Sequence, residues 1–267
     1  MKTSRTIIYL IGFIMLSSGS VLGQNDLKVP LTNPGKPGKL SINAVYADEV
    51  VVKAHSGDEI IVKFDGEDDD RYNNYSRNGL KKISNSGVGL EVTEDNNNVR
   101  IKTAPNSHDL DLEIWVPKNF SLNLQVTHGD VMVEGVDGEH EVRATNGDIE
   151  MYDIGGSVVV NSVNGDIEVT MSSVTPNTPM SFTGLNGDIE VSFPSNTKFT
   201  GKMKTDYGDV YTNFDIELDR SSSASEISSG DGKYTVTINK WITGEVNGGG
   251  PEFLFKTLHG DIEISKN

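Results

Sequence analysis

"NSVNGDIEVTM", residues 161–171, contains a four-residue unit, Gly-Asp-Ile-Glu, that recurs along the chain. Aligned on Gly-Asp, its members are "HGDVMV" from His128, "NGDIEM" from Asn146, "NGDIEV" from Asn164, "NGDIEV" from Asn186, "YGDVYT" from Tyr207 and "HGDIEI" from His259. The glycines at 129, 147, 165, 187, 208 and 260 are 18, 18, 22, 21 and 52 residues apart. Such near-constant spacing over the first four gaps marks stacked supersecondary units. The last gap has room for degenerate units and an insertion.

Inside each unit, apolar residues alternate with acids: Ile149 and Met151 with Asp148 and Glu150, Ile167 and Val169 with Asp166 and Glu168. A period of two is that of a strand with one face buried. Strands of the same kind lie between them, "HEVRAT" from His140, "SVVVNSV" from Ser157 and "MSFTGL" from Met180. Each unit thus supplies about two short strands with turn residues at the corners, and the mature chain shows no long helical pattern. The fold class expected is all-β, a parallel β-helix-like solenoid with coils of about 18–22 residues. The alternative is an antiparallel β-sandwich or meander with Asn-Gly hairpins. Recurrence in register favours the solenoid, because a sandwich has no need of identical strands.

On this reading glycine supplies the positive φ of the corner, the preceding Asn tolerates a left-handed conformation, and Ile or Val fills the core. Asn146, Asn164 and Asn186 would form an amide ladder. Asp130, Asp148, Asp166, Asp188 and Asp209 would form a line of like charges, and Glu150, Glu168 and Glu190 a second line. At about 4.8 Å, unit charges repel by somewhat under ~1 kcal/mol in water. Turn amides can offset this by donating to the aspartates. Calcium bridging those five aspartates is the competing expectation, although no EF-hand pattern is present.

Lys2 and Arg5 precede an apolar run from Ile7 to Leu16, then small polar residues and Val21-Leu22-Gly23. Residues 1–23 therefore read as a signal peptide cut before Gln24, giving an exported chain in the periplasm, at the cell surface or secreted, with no transmembrane segment in its mature part. There is no cysteine, so stability must come from a core rather than from disulfides. The net charge of −16 becomes about −18 on cleavage, and such a surface repels nucleic acid. Residues 24–39, with Pro30, Pro34 and Pro37, read as a flexible leader or extended edge, residues 40–110 as irregular N-terminal coils or a cap, and residues 111–267 as the repeat solenoid, about ten coils in all.

From Asp111, "DLEIWVPKNFSLNLQVTHGDVMVEGVDGEHEVRATNGDIEMYDIGGSVVVNSVNGDIEVTM" resembles the bacterial putative-adhesin β-repeat family. The end, "GEVNGGGPEFLFKTLHGDIEIS", looks like that family's last coil. The resemblance implies a β-helix-like solenoid, a cell-envelope location and no established catalytic residues.

Catalysis by paired carboxylates requires unequal environments, whereas repeated aspartates share one. His55, His108, His128, His140 and His259 show no metal-ligand spacing, and His128 and His259 occupy the corner slot used elsewhere by Asn. No nucleophile elbow or P-loop appears. Trp115 and Trp241 could stack on sugar rings, but each lies in an alternating strand and reads as core or edge packing. The acidic loop "DGEDDDRYNNYSRNGLKK" and the Ser-rich "DRSSSASEISSGDGK" are places for specificity on a regular rod. The function expected is a non-catalytic binding scaffold, adhesin-like, for an envelope protein or a glycan. The alternatives are a β-helix polysaccharide lyase or hydrolase, and a periplasmic envelope-stress or regulatory component.

Overall fold

The alternation read in the repeat appears in space as a stack of rungs. The computed structural model describes residues 26–66, 76–77, 80–81, 89–104, 110–219, 225–230, 233–238 and 241–267; the signal-peptide reading and most of the acidic loop fall outside them. The strands are β1 (Asp26–Pro30), β2 (Gly38–His55), β3 (Glu59–Gly66), β4 (Ser76–Arg77), β5 (Leu80–Lys81), β6 (Leu90–Asp95), β7 (Asn98–Thr103) and β8 (Leu110–Pro117). The repeat gives β9 (Phe120–Glu134), β10 (Asp137–Asn146), β11 (Ile149–Asn164), β12 (Ile167–Val174), β13 (Met180–Asn186), β14 (Ile189–Phe193), β15 (Phe199–Tyr207) and β16 (Val210–Thr212). Then come β17 (Ile216–Leu218), β18 (Ser225–Gly230), β19 (Lys233–Ile238), β20 (Ile242–Val246), β21 (Glu252–His259) and β22 (Ile262–Lys266).

Each Gly-Asp rung runs along one wall, turns at that corner and continues along the other. Pairing between the repeat rungs is parallel throughout, so the fold is the all-β, largely parallel solenoid-like architecture rather than the sandwich. Stacking aligns like with like. On the first wall Ile42, Leu124, Val142, Val160, Phe182, Phe255 and Met203 make one column. On the second, Val50, Val131, Ile149, Ile167, Ile189, Ile262 and Val210 make another. All of these but Val210 are buried. Phe182 on the first wall meets Phe193 on the second edge-on at 6.1 Å, so the walls close on a shared core.

The order of rungs in space is not their order in sequence. From one end the stack reads β7 with β8, β2, β9, β10 with the first part of β11, the rest of β11 with β12, β13 with β14, β21 with β22, and β15 with β16. Among the described residues these are eight rungs, where about ten were expected of the whole mature chain. The final Gly-Asp-Ile is the penultimate coil and not the last, because β21 and β22 slide between β13–β14 and β15–β16. The 52-residue gap holds no degenerate coil among the described residues. Instead β17 and β20 pair antiparallel, β20 pairs antiparallel with β15, and β18, inside the Ser-rich stretch, pairs antiparallel with β19, which follows it.

The N-terminal part is similarly re-ordered. β2 is a full rung lying in register on β9, and β3 and β6 add antiparallel to β8 and β7. The segment read as a flexible leader or extended edge carries an edge strand. Its β1 pairs antiparallel with β3, Thr32 donates to Glu94 through its amide and its hydroxyl at 3.0 and 2.9 Å, and buried Asn97 accepts from the Asn33 amide at 2.8 Å.

Candidate functional site

Three outward columns meet at the Gly-Asp corner, and each is fixed by the chain conformation there. Gly129, Gly147, Gly165, Gly187 and Gly260 have φ between 116° and 145°, which glycine adopts without a Cβ penalty. A second constraint is contact. A Cβ on Gly147, Gly165, Gly187, Gly260 or Gly208 would overlap the carbonyl oxygen of the glycine one rung before. Asn146, Asn164 and Asn186 do not take the left-handed conformation expected of them, since they are absent from the positive-φ residues. Glycine alone turns the corner, and Asn serves the ladder.

That ladder runs the length of the repeat. The Asn164 amide donates to Asn146 Oδ1 at 3.0 Å and Asn186 to Asn164 Oδ1 at 2.9 Å. Asn146 donates to His128 Nδ1 at 3.4 Å, and His259 Nδ1 donates to Asn186 Oδ1 at 3.1 Å. Each histidine is then covered by a tyrosine ring, Tyr46 on His128 at 4.9 Å and Tyr207 on His259 at 4.7 Å. Read through the stack the column is Tyr, His, Asn, Asn, Asn, His, Tyr. His128 and His259 are thus corner residues.

The aspartates form the second column. The backbone amide of Asp148 donates to Asp130 Oδ1 at 2.9 Å, Asp166 to Asp148 at 2.8 Å and Asp188 to Asp166 at 2.8 Å. Asp261 donates to Asp188 at 2.7 Å, and Asp209 to Asp261 at 2.8 Å. The structure therefore joins Asp130, Asp148, Asp166 and Asp188 as the repeat predicts, but places Asp261 before Asp209. The Asp261 motif was visible in the sequence; its position was not, because spacing reports periodicity and not stacking order. Main-chain amides supply the compensating donors. Among the described residues no group of three His, Asp or Glu side chains converges as a metal site.

Glu150, Glu168, Glu190 and Glu263 form the third column. Their electrostatic settings are not equal. Burial, then Glu263 and Glu168, push the Glu190 carboxyl above its ordinary value. Tyr152 donates to Glu150 at 3.1 Å and to Glu168 at 2.9 Å; burial first, then those glutamates, push its phenol up. Glu190 nonetheless stands exposed on a strand wall. No lysine or arginine among the described residues is ion-paired with an acid of either column.

The remaining aromatic and histidine candidates are structural. Lys53 and Lys63 lie 5.9 and 5.5 Å from the Trp115 ring, and Lys202 and Lys204 lie 5.1 and 5.8 Å from Trp241, cation–π contacts that occupy the rings. His55 Nε2 bonds the Glu59 carbonyl at 2.8 Å, His108 lies outside the described residues, and His140 is a core residue in the column of Leu122 and Val158. Sequence reasoning missed Tyr207 and Tyr211, which replace Asn and Glu on the last rung. The signal was "YGDVYT", the one repeat with an aromatic at both flanks.

No curated protein matches the chain. A solved structure titled a putative cell adhesion protein, from Clostridium sporogenes ATCC 15579, is similar at 10% identity over 92% of this chain and 100% of that one, with a TM-score of 0.43. Another, titled a putative adhesin, from Bacteroides fragilis NCTC 9343, is similar at 11% identity over 92% of this chain and 98% of that one, with a TM-score of 0.44. Residues 118–241, from the strand before the first Gly-Asp corner to the end cap, match the family model described as Toastrack DUF4097.

Proposed function

We propose that this chain is an exported, non-catalytic scaffold of the cell envelope that binds a protein or glycan partner through its repeated outer surface, as an adhesin does. The observation that carries the reading is the array itself. The same outward side chains recur on successive rungs about 4.8 Å apart, so a partner meets many copies of one contact rather than one cleft. Repetition of weak contacts suits avidity and does not suit general acid–base chemistry, which needs two groups with separated proton affinities facing one substrate. Export to the periplasm, surface or medium rests on the sequence of residues 1–23. Among the described residues no helix is long and apolar enough to cross a membrane, which leaves strand-based insertion untouched.

The test is to screen the chain from Gln24 onward against a glycan panel and against envelope fractions, with and without calcium. Saturable binding with no new reducing ends or unsaturated products is the expected result. Turnover of any polysaccharide would overturn the reading in favour of a β-helix lyase or hydrolase.

A further inference from the structure

Every inner corner satisfies the next one, and among the described residues no further rung stacks on the last corner. In the stack the amides of Val131, Ile149, Ile167, Ile189 and Ile262 each donate to the Asp carbonyl of the following rung, all at 2.9 Å. The amides of Gly147, Gly165, Gly187 and Gly260 donate likewise to the Asn, His or Tyr carbonyl beside it, at 2.9–3.1 Å. Five aspartates accept the following Asp amide. On the last rung the equivalent backbone groups are the amides of Gly208 and Val210, the Asp209 carboxylate takes a hydrogen bond from the Tyr211 hydroxyl in place of a following amide, and β16 pairs only with β22 among the described residues. The side chains agree. Val210 is half-buried where every other member of its column is buried, and Tyr207 and Tyr211 are 68% and 49% exposed.

We propose that this open corner, Tyr207–Thr212, is a strand-addition site for an extended, glycine-containing basic segment of a partner protein. A row of unpaired strand donors and acceptors is a ready template for another chain, and addition of a strand is an established mode of peptide recognition. The inner interfaces specify what fits. The residue opposite Gly208 must be glycine, because a Cβ there would strike the Gly208 carbonyl as it would at all five interfaces below. The residue two positions on must be aliphatic, to complete the column that ends at Val210. The flanking residues should be cationic. Asp209 and Asp261 already push the Tyr211 phenol up, the Tyr211 ring offers a cation–π face, and beyond Thr212 the edge runs into a cleft bearing Asp215, Glu217 and Glu245. The site rests on the binding-scaffold reading and names one edge at which that scaffold engages a protein.

The probe is a fluorescein-labelled peptide, Lys-Tyr-Gly-Lys-Val-Lys-Val, titrated against the mature chain by polarisation. Saturable binding is expected, weakened about tenfold or more when the peptide glycine becomes valine. Asp209→Lys should weaken it by a similar factor, while Asp130→Lys, in the same column at the far end, should not. Val210→Pro removes the outward amide, along with the Val side chain and the freedom of φ, and should weaken binding too, with circular dichroism and melting temperature showing that the variants fold. Three results would overturn the proposal: no saturable binding, equal loss from Asp130→Lys and Asp209→Lys, or a dimer of the chain by sedimentation that Asp209→Lys abolishes, which would assign the edge to a second copy. Glycan binding that persists in Asp209→Lys would leave the scaffold reading intact while the edge is judged separately.

Discussion

The amide of Asp261 donates to the Asp188 carboxylate at 2.7 Å across 73 residues of sequence. That bond marks where β21–β22 wedges into the stack, and Phe255 anchors the wedge, stacked on Phe182 at 5.2 Å and edge-on to Phe193 at 6.3 Å. Phe255→Ala should cost about 3–5 kcal/mol, read as a lower urea midpoint. Loss of the β15–β16 rung should follow, read as protease cleavage near residues 194–198 before the rest of the chain.

Gly165 combines a φ of 145° with close approach to the Gly147 carbonyl. Gly165→Ala should therefore destabilise by more than the ~1 kcal/mol of an ordinary glycine replacement. Gly35→Ala is the comparison: its φ is also positive, at 73°, but nothing lies near its Cβ position. The difference in urea midpoint between the two variants isolates the contact between rungs.

His140 donates through Nε2 to the Gly155 carbonyl at 3.2 Å, since a carbonyl only accepts, and its buried Nδ1 makes no hydrogen bond. Burial holds its pKa below the ordinary imidazole value despite the nearby Asp137. A folded-state value below the unfolded ~6.5 means that this site's contribution is intact above that pH and is lost as pH falls below it. His140→Leu, which matches Leu122 in the column, should flatten the decline in melting temperature between about pH 7 and pH 5. An unchanged slope would assign the acid sensitivity elsewhere.

Glu190 has the opposite sign. Its carboxyl is pushed up by burial and by Glu263 and Glu168, so ionisation weakens the folded state as pH rises above the unfolded ~4.3. Glu190→Gln should raise the melting temperature at neutral pH and low salt. The gain should shrink at about 1 M salt, where the screening length is near 3 Å, and vanish at acid pH.

For the aspartates, the amide ladder supplies donors without a cation, which predicts that folding needs no calcium. Adding EDTA to the mature chain should leave its melting temperature unchanged, and a fall reversed by calcium would restore the bridging role of Asp130, Asp148, Asp166, Asp188 and Asp209.

What could be read in the sequence was periodicity. Alternation at Ile149 and Met151, or Ile167 and Val169, fixes which side chains enter the core, and the glycine spacing fixes which residues stack. The order of stacking is set by shape complementarity that no spacing reports: the broad Phe253 and Phe255 lie between Met180 and Phe182 on one side and Gly201 and Met203 on the other. β2, read only as part of the irregular N-terminal coils or cap, hides its regular rung for a different reason. It turns through Tyr46-Ala47-Asp48 without a glycine, by a register shift between Tyr46 and Glu49, so alternation at Leu40, Ile42, Val50 and Val52 was visible while the corner was not. The Asp column was legible from Gly-Asp, but the two tyrosines that end its neighbouring columns stand out only once the last rung is known to be last.

The exchange of places at the two ends has a consequence for how the molecule is made. Neighbours in the middle of the stack lie 18–22 residues apart in sequence, so they can zip as they emerge from the ribosome. β2 instead waits for β8 and β9, and β15 for β21, so both extremities are sealed late by chain that arrives after a long detour. Amide exchange during refolding should therefore show protection spreading outward from β10–β12, with the closing segments at either extremity the last to slow.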